Sequence, residues 1–321
     1  MPIRSLRPAG LIVACAAAIL LSAPGTAGAK STVGDLRVVA PSGQTLAELG
    51  QYTRTVKIKT DPGAQCFGPG SGGSGDRVKV PGPTALGIVK DASATARDLR
   101  PLSLTDAFEF GLGVCGIGGF QAQGSAFWYL KHNHAGALVG GDQLRLSKGD
   151  EVLWYLAPGF PPPRELSLEA PARVKPGDSV SVQVFQHADD GTRTPAAGAT
   201  VTGGGSPATT DAQGTAAVSV GSGDARLRAT RGTDIPSNEV RVCVSDTSSE
   251  CSPQRLIAGT KKRDKIKGTS LAEKIKAKAR NDVVKAGGGS PDRINCGTGK
   301  RDVAVVGAED TVRACEVVKE K

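Results

Sequence analysis

From Asp264 onward, an acidic residue stands two places before an apolar one six times over. The pairs are Asp264 with Ile266, Glu273 with Ile275, Asp282 with Val284, Asp292 with Ile294, Asp302 with Ala304, and Asp310 with Val312. Their spacings are nine, nine, ten, ten and eight residues, and GTKKRDKIK, GTSLAEKIK and AKARNDVVK are three near-copies in a row. A unit this short cannot bury its apolar residue alone, so the copies must stack on one another. A helix competes locally: Ser270 and Glu273 have the spacing of a capping box, and Leu271, Ile275, Ala279 and Val283 share a helical face that Gly287 would end. The repeat register continues on both sides of that helix candidate. Strands and turns are therefore expected over 258–321, after a linker at 245–257.

The units resemble the calcium-binding repeats of haemolysin-type toxins, G-G-x-G-x-D-apolar-x wound into a parallel β-roll. The resemblance implies Ca²⁺ as the one cofactor and makes Asp264, Asp282, Asp292 and Asp302 its ligands, each with backbone carbonyls to help supply six to eight oxygens. AGGGSPD and CGTGKRD keep the most glycine, while Lys262, Arg263, Arg280, Lys300 and Arg301 set positive charge beside the acids.

Charge divides the chain at the same place. Residues 255–321 hold 17 Lys and Arg against nine Asp and Glu, whereas 30–254 hold 21 against 22. The basic character belongs to the tail, which suits an anionic cell-wall polymer or another surface protein as partner. No nucleic-acid partner is expected.

The N-terminus reads as an export signal over 1–29: Arg4 and Arg7, an apolar run from Leu11 to Leu21, and an Ala-x-Ala cut after Ala29. Ile12–Cys15 also fits a lipoprotein cleavage pattern, although the apolar run continues past Cys15. No later segment is apolar enough to span a membrane, so a secreted or cell-surface location is expected. Six cysteines follow the signal, and an even count after export points to disulfides. Six allow 15 pairings. Sequence neighbourhood favours Cys66 with Cys115, Cys243 with Cys251, and Cys296 with Cys315.

The first module, 30–164, opens with strand-like alternation and then a short helix at TALGIVKDA. FWYL and VLWYL hold both tryptophans, as strands buried on both faces. His132 and His134 could share a strand face, but KHNHAG reads more simply as a hairpin turn. Gly70-x-Gly72-x-x-Gly75 and Gly111-x-Gly113-x-x-Gly116 match a dinucleotide pattern outside any βαβ unit. The order TALGIVKDA, FWYLKHNHAGALVG, KGDEVLWYL resembles the transcobalamin-C-terminal-like domain over about 50–160. That resemblance implies a β-grasp-like α+β domain, and it makes a corrinoid-like small molecule near Trp128, Tyr129 and Trp154 the alternative ligand.

PGFPPPRE reads as a stiff joint holding two domains apart. Beyond it, 165–244 shows short alternating strands at regular spacing, the pattern of a β-sandwich. VKPGDSVSVQV, TPAAGATV and TTDAQGTA are similar to bacterial immunoglobulin-like domains, which implies a spacer. The expected whole is mainly β and multidomain: an α+β module, a sandwich and a short β-roll-like tail. No Ser-His-acid set, zinc pattern or Walker loop is present, so a non-enzymatic binding or adhesion protein is expected.

Overall fold

A computed structural model describes residues 30–247, 251–288 and 291–321; the segment read as an export signal, with Cys15, lies outside the described residues. The protein is mainly β, and its one α-helix among the described residues is Ala85–Ala92. Thr84 starts that helix by accepting the Gly87 N–H on its hydroxyl at 3.0 Å. Ala85, Leu86, Ile88, Val89 and Ala92 are buried against the central sheet of the first module.

That sheet contains Thr45–Arg54, Ser31–Val39, Glu151–Ala157 and Phe127–His132 side by side. Side chains alternate across it. Leu36, Val38, Trp128, Leu130, Val152 and Trp154 point to the helix side and form the core. Val39, Leu153 and Tyr155 point to the other side. Asn133 and His134, with φ of 48° and 70°, form the hairpin turn after the strand carrying FWYL.

The second module is two facing sheets. One holds Glu165–Glu169, Val180–His187, Arg193–Pro195 and Thr215–Val218. The other holds Arg173–Val174, Val240–Val244, Gly223–Thr230, Thr200–Thr202 and Ala208–Thr209. Leu166, Val182, Val201, Leu227 and Val242 fill the space between them. The proline-rich joint does not hold this module away from the first. Ile235 packs on Val39, Leu153, Tyr155 and Ala157, because the sheet's second apolar face must be covered.

The tail is a flattened coil, and the helix competitor over 270–287 is replaced by strands Glu273–Lys276 and Val283–Lys285. Alternate strands fall into two parallel sheets. Arg255–Ala258, Glu273–Lys276, Arg293–Asn295 and Thr311–Arg313 form one. Lys265–Lys267, Val283–Lys285, Val303–Val306 and Val317–Glu320 form the other. In the first, Ile257, Ile275, Ile294 and Val312 stack in register; in the second, Ile266, Val284 and Ala304 do the same. These columns meet as the coil's core, where each fully buried Ile or Val contributes about 1.5–3 kcal/mol.

Arg255–Ala258, which begins in the segment read as linker, pairs in parallel with the first module, Gly50 opposite Ile257 and Gln51 opposite Ala258. The first coil sheet thus extends the central sheet into nine strands, and Val33 and Tyr52 close the end of the coil's core. All three disulfides join the neighbours expected from sequence: Cys66–Cys115, Cys243–Cys251 and Cys296–Cys315.

Candidate functional site

One turn of the coil takes two repeats, so the acids that look like a single row in sequence separate onto two edges. Asp264, Asp282, Asp302 and Glu316 line one edge; Glu273, Asp292 and Asp310 line the other. Except for Asp310 and Glu316, each of these side chains is buried. On the first edge, Asp282 Oδ1 accepts the Asp264 N–H at 2.8 Å, and Asp302 Oδ1 accepts the Asp282 N–H at 2.6 Å. Glu316 Oε2 then accepts the Asp302 N–H at 2.7 Å. On the second edge, Asp292 accepts from Glu273 and Asp310 from Asp292, both at 2.8 Å. Each bond runs from a main-chain amide to the acid one full turn later, making two carboxylate ladders.

The other carboxylate oxygens mostly close their own turns. Thr260 donates its N–H to Asp264 Oδ2 at 2.5 Å, and Thr269 donates to Glu273 Oε2 at 2.8 Å. Gly287, Gly299 and Gly307 do the same for Asp292, Asp302 and Asp310, at 3.1, 3.2 and 2.7 Å. Asp282 is the exception. Its turn carries Lys278, at φ +84°, four places before the acid, where the Asp264 and Glu273 turns carry threonine. Asp282 Oδ2 is buried without a hydrogen-bond partner. Burial first, then the charges of Asp264 and Asp302, pushes the Asp282 carboxyl up to about 7. Burial likewise raises Asp292 to about 6.

Of the four sequence-assigned calcium ligands, Asp264, Asp282 and Asp302 share an edge, and Asp292 lies on the other. The ladders also use Glu273, Asp310 and Glu316. The first two were visible in the repeat register, while Glu316 breaks the spacing and carried no signal. Among the described residues, no three metal-ligating side chains stand close enough together to hold an ion.

Charge is distributed unequally between the edges. Lys261, Lys262, Arg263, Arg280, Lys300 and Arg301 project from the turns of the Asp264 edge, all exposed and none in a salt bridge. The described turns of the opposite edge carry no Lys or Arg. One open sheet face adds exposed Lys274, Lys276, Arg293 and Arg313, with Lys274 beside Arg293 in register. Neighbouring rungs of a sheet stand about 4.8 Å apart. The coil therefore buries Asp264, Glu273, Asp282, Asp292 and Asp302 and displays its cations in rows.

The aromatic candidates are held differently. Trp128 and Trp154 are 7% and 3% exposed and fill the core. Their indoles donate to the carbonyls of Phe120 at 3.3 Å and Ala85 at 3.1 Å. Tyr129 lies on the opposite face, where its hydroxyl bonds Asp189 of the second module. The three do not converge on a common opening.

Sequence reasoning missed the charged junction between the first two modules. Glu165, the last residue of the segment read as a stiff joint, is buried and pairs with Arg37, with Lys131 at 3.4 Å and with His134 at 3.1 Å. His134 stacks on His187 with centroids 4.0 Å apart, and His187 Nε2 meets the Ser167 hydroxyl at 2.7 Å. Burial would raise Glu165, but Arg37, His134 and Lys131 outweigh it and bring the carboxyl to about 2. Burial, helped by the charge of His134, lowers His187 to about 4. The sequence signal for this cluster was slight: a Lys and a His on a hairpin read as a turn.

A crevice of about 660 Å³ opens where all three parts meet. Two ion pairs cross between the parts there, Arg228 with Glu48 at 2.8 Å and Arg255 with Asp35 at 2.5 Å, which makes it an ionic seam. No family model, curated protein or solved structure matches this chain.

Proposed function

We propose that this is an exported, non-enzymatic binding protein whose coil holds a linear polyanion, such as an anionic cell-wall polymer, along its cationic edge. A transcobalamin-C-terminal-like first module and an immunoglobulin-like second module serve as its support. The observation that carries this reading is the sorting of charge in the coil. Six exposed cations without salt bridges stand on one edge while Asp264, Asp282 and Asp302 between them are buried. Such an edge attracts a chain of negative charges over several rungs at once. The three disulfides fit an oxidising compartment. Among the described residues, no helix is long and apolar enough to cross a membrane.

The test is retention of the full chain on immobilised poly(glycerol phosphate) as salt is raised. Retention should fall steeply with salt, because exposed charges are screened beyond about 10 Å at 0.1 M. The triple variant Lys262→Glu, Arg263→Glu, Arg301→Glu should lose at least tenfold in affinity. Salt-insensitive retention, or an unchanged triple variant, overturns the proposal.

A further inference from the structure

We infer that the coil folds and functions without calcium, the carboxylate-to-amide ladders taking the place a metal holds in the repeats it resembles. A calcium ion needs six to eight oxygens with lone pairs turned toward it. Here the oxygens are already committed. Asp282, Asp302, Asp292, Asp310 and Glu316 each accept a main-chain N–H from the preceding turn of the coil. Thr260, Thr269, Gly287, Gly299 and Gly307 supply the donors within the turns. Of the buried acid oxygens among the described residues of the coil, Asp282 Oδ2 alone lacks a donor. One oxygen does not make a calcium site.

Turning the carboxylates outward toward an ion would strip buried amides of their acceptors, and an unmade buried hydrogen bond is costly. The same turns place Lys262, Arg263, Arg280, Lys300 and Arg301 around the Asp264 edge, where they repel a divalent cation. Threonine at 260 and 269 strengthens this arrangement. Each hydroxyl also donates to its own acid, at 2.8 Å for Asp264 and 2.7 Å for Glu273. The departures from the calcium repeat therefore form a consistent set: residues that donate to carboxylates stand in turns where carbonyls would have faced a metal.

The experiment uses the full chain, with hydrogen exchange and thermal unfolding followed in excess chelator and again in millimolar calcium. Exchange at the amides of Asp264, Asp282 and Asp302 and the unfolding temperature should be the same in both. Calcium-dependent protection of those amides, or a calcium-dependent rise in unfolding temperature, overturns the inference. Two substitutions test the ladder itself. Asp302→Asn keeps one acceptor, for the Asp282 N–H, while giving up the one that takes the Gly299 N–H, and should speed exchange at Asp282 far less than removing both does. Asp302→Ala removes both and should speed the exchange about tenfold or more. Equal exchange at Asp282 in the two variants would show that the ladder bond contributes nothing, and would likewise overturn it.

Discussion

Glu165 and Asp282 are both fully buried carboxylates, yet their acidities are pushed in opposite directions. Glu165, at the junction of the first two modules, is drawn down to about 2 by Arg37, His134 and Lys131. Asp282, in the coil, is pushed up to about 7 because burial is opposed by one main-chain amide and worsened by neighbouring acids. The difference lies in the partner. A cation compensates the charge that burial penalises, whereas an amide satisfies only the geometry of an acceptor. The junction is held by opposite charges brought from distant parts of the sequence. The coil is held by a repeated local hydrogen bond that needs an acceptor more than it needs an anion.

The sharpest way to break this comparison is to remove Glu165. Glu165→Ala leaves Arg37 and Lys131 buried without their anion and should cost about 3–5 kcal/mol, read by denaturant unfolding of the full chain. A cost within the range of an exposed salt bridge, below about 1 kcal/mol, would mean that the junction does not depend on charge pairing.

Acid should act next most strongly. A carboxyl lowered from its ordinary value to about 2 contributes stability that is fully present above the ordinary value and lost as pH falls through about 2. For Glu165 this amounts to about 3 kcal/mol. His187, lowered to about 4, acts in the same direction over a higher window: stability it contributes near neutrality is lost as pH falls from its ordinary value through about 4. Acidification from pH 6 to pH 3 should therefore loosen the junction before the coil, visible as earlier exchange in strands Glu165–Glu169 and Val180–His187. Earlier opening of the coil would reverse the comparison.

The coil has the opposite sign. A carboxyl raised to about 7 contributes stability below its ordinary value, and that stability is lost as pH rises through about 7. Asp282→Asn removes this titration while keeping an acceptor for the Asp264 N–H. It should stabilise the coil by about 1–3 kcal/mol above pH 7 and change little below about pH 4, measured as coil exchange against pH. An unaltered pH profile would show that Asp282 is solvated rather than buried.

These contrasts also set what could be read in the sequence. The strands of the coil were legible because they depend on residues close together in the chain, and the three disulfides because each joins neighbouring cysteines within one module. So were the helix begun by Thr84 and the turn at Asn133 and His134. The pairing of Gln51 with Ala258 and the meeting of Glu165 with Arg37 were not, because no local pattern encodes contacts across more than a hundred residues. Reading PGFPPPRE as a spacer failed for the same reason. Its stiffness is local, but the apolar face formed by Val39, Leu153 and Tyr155 becomes apparent only once the sheet is assembled. The acids occupied an intermediate case. Their spacing was visible, yet a period of nine or ten hid the fact that contacts recur one full turn later, so residues on opposite edges were grouped as one site.

The smallest predicted effect concerns one position in that ladder. Gly297 occupies the place in its turn that Lys278 stacks against from the turn before, and both have positive φ, +94° and +84°. Glycine adopts that backbone without penalty, whereas a lysine there is strained by the contact between its Cβ and the main chain. A Cβ on Gly297 would meet the Lys278 carbonyl oxygen at 1.9 Å, so that position admits only glycine, while Lys278 has found room at a cost. Lys278→Gly should therefore raise the stability of the coil by about 1 kcal/mol, measured by chemical denaturation. It should also leave Asp282 raised, since glycine brings no hydroxyl to Asp282 Oδ2. A gain in stability with an unchanged pH profile would separate backbone strain from the missing donor, and a loss would show that the Lys278 side chain, which reaches Thr95 Oγ1 at 3.4 Å, holds the coil to the first module more firmly than its backbone strains it.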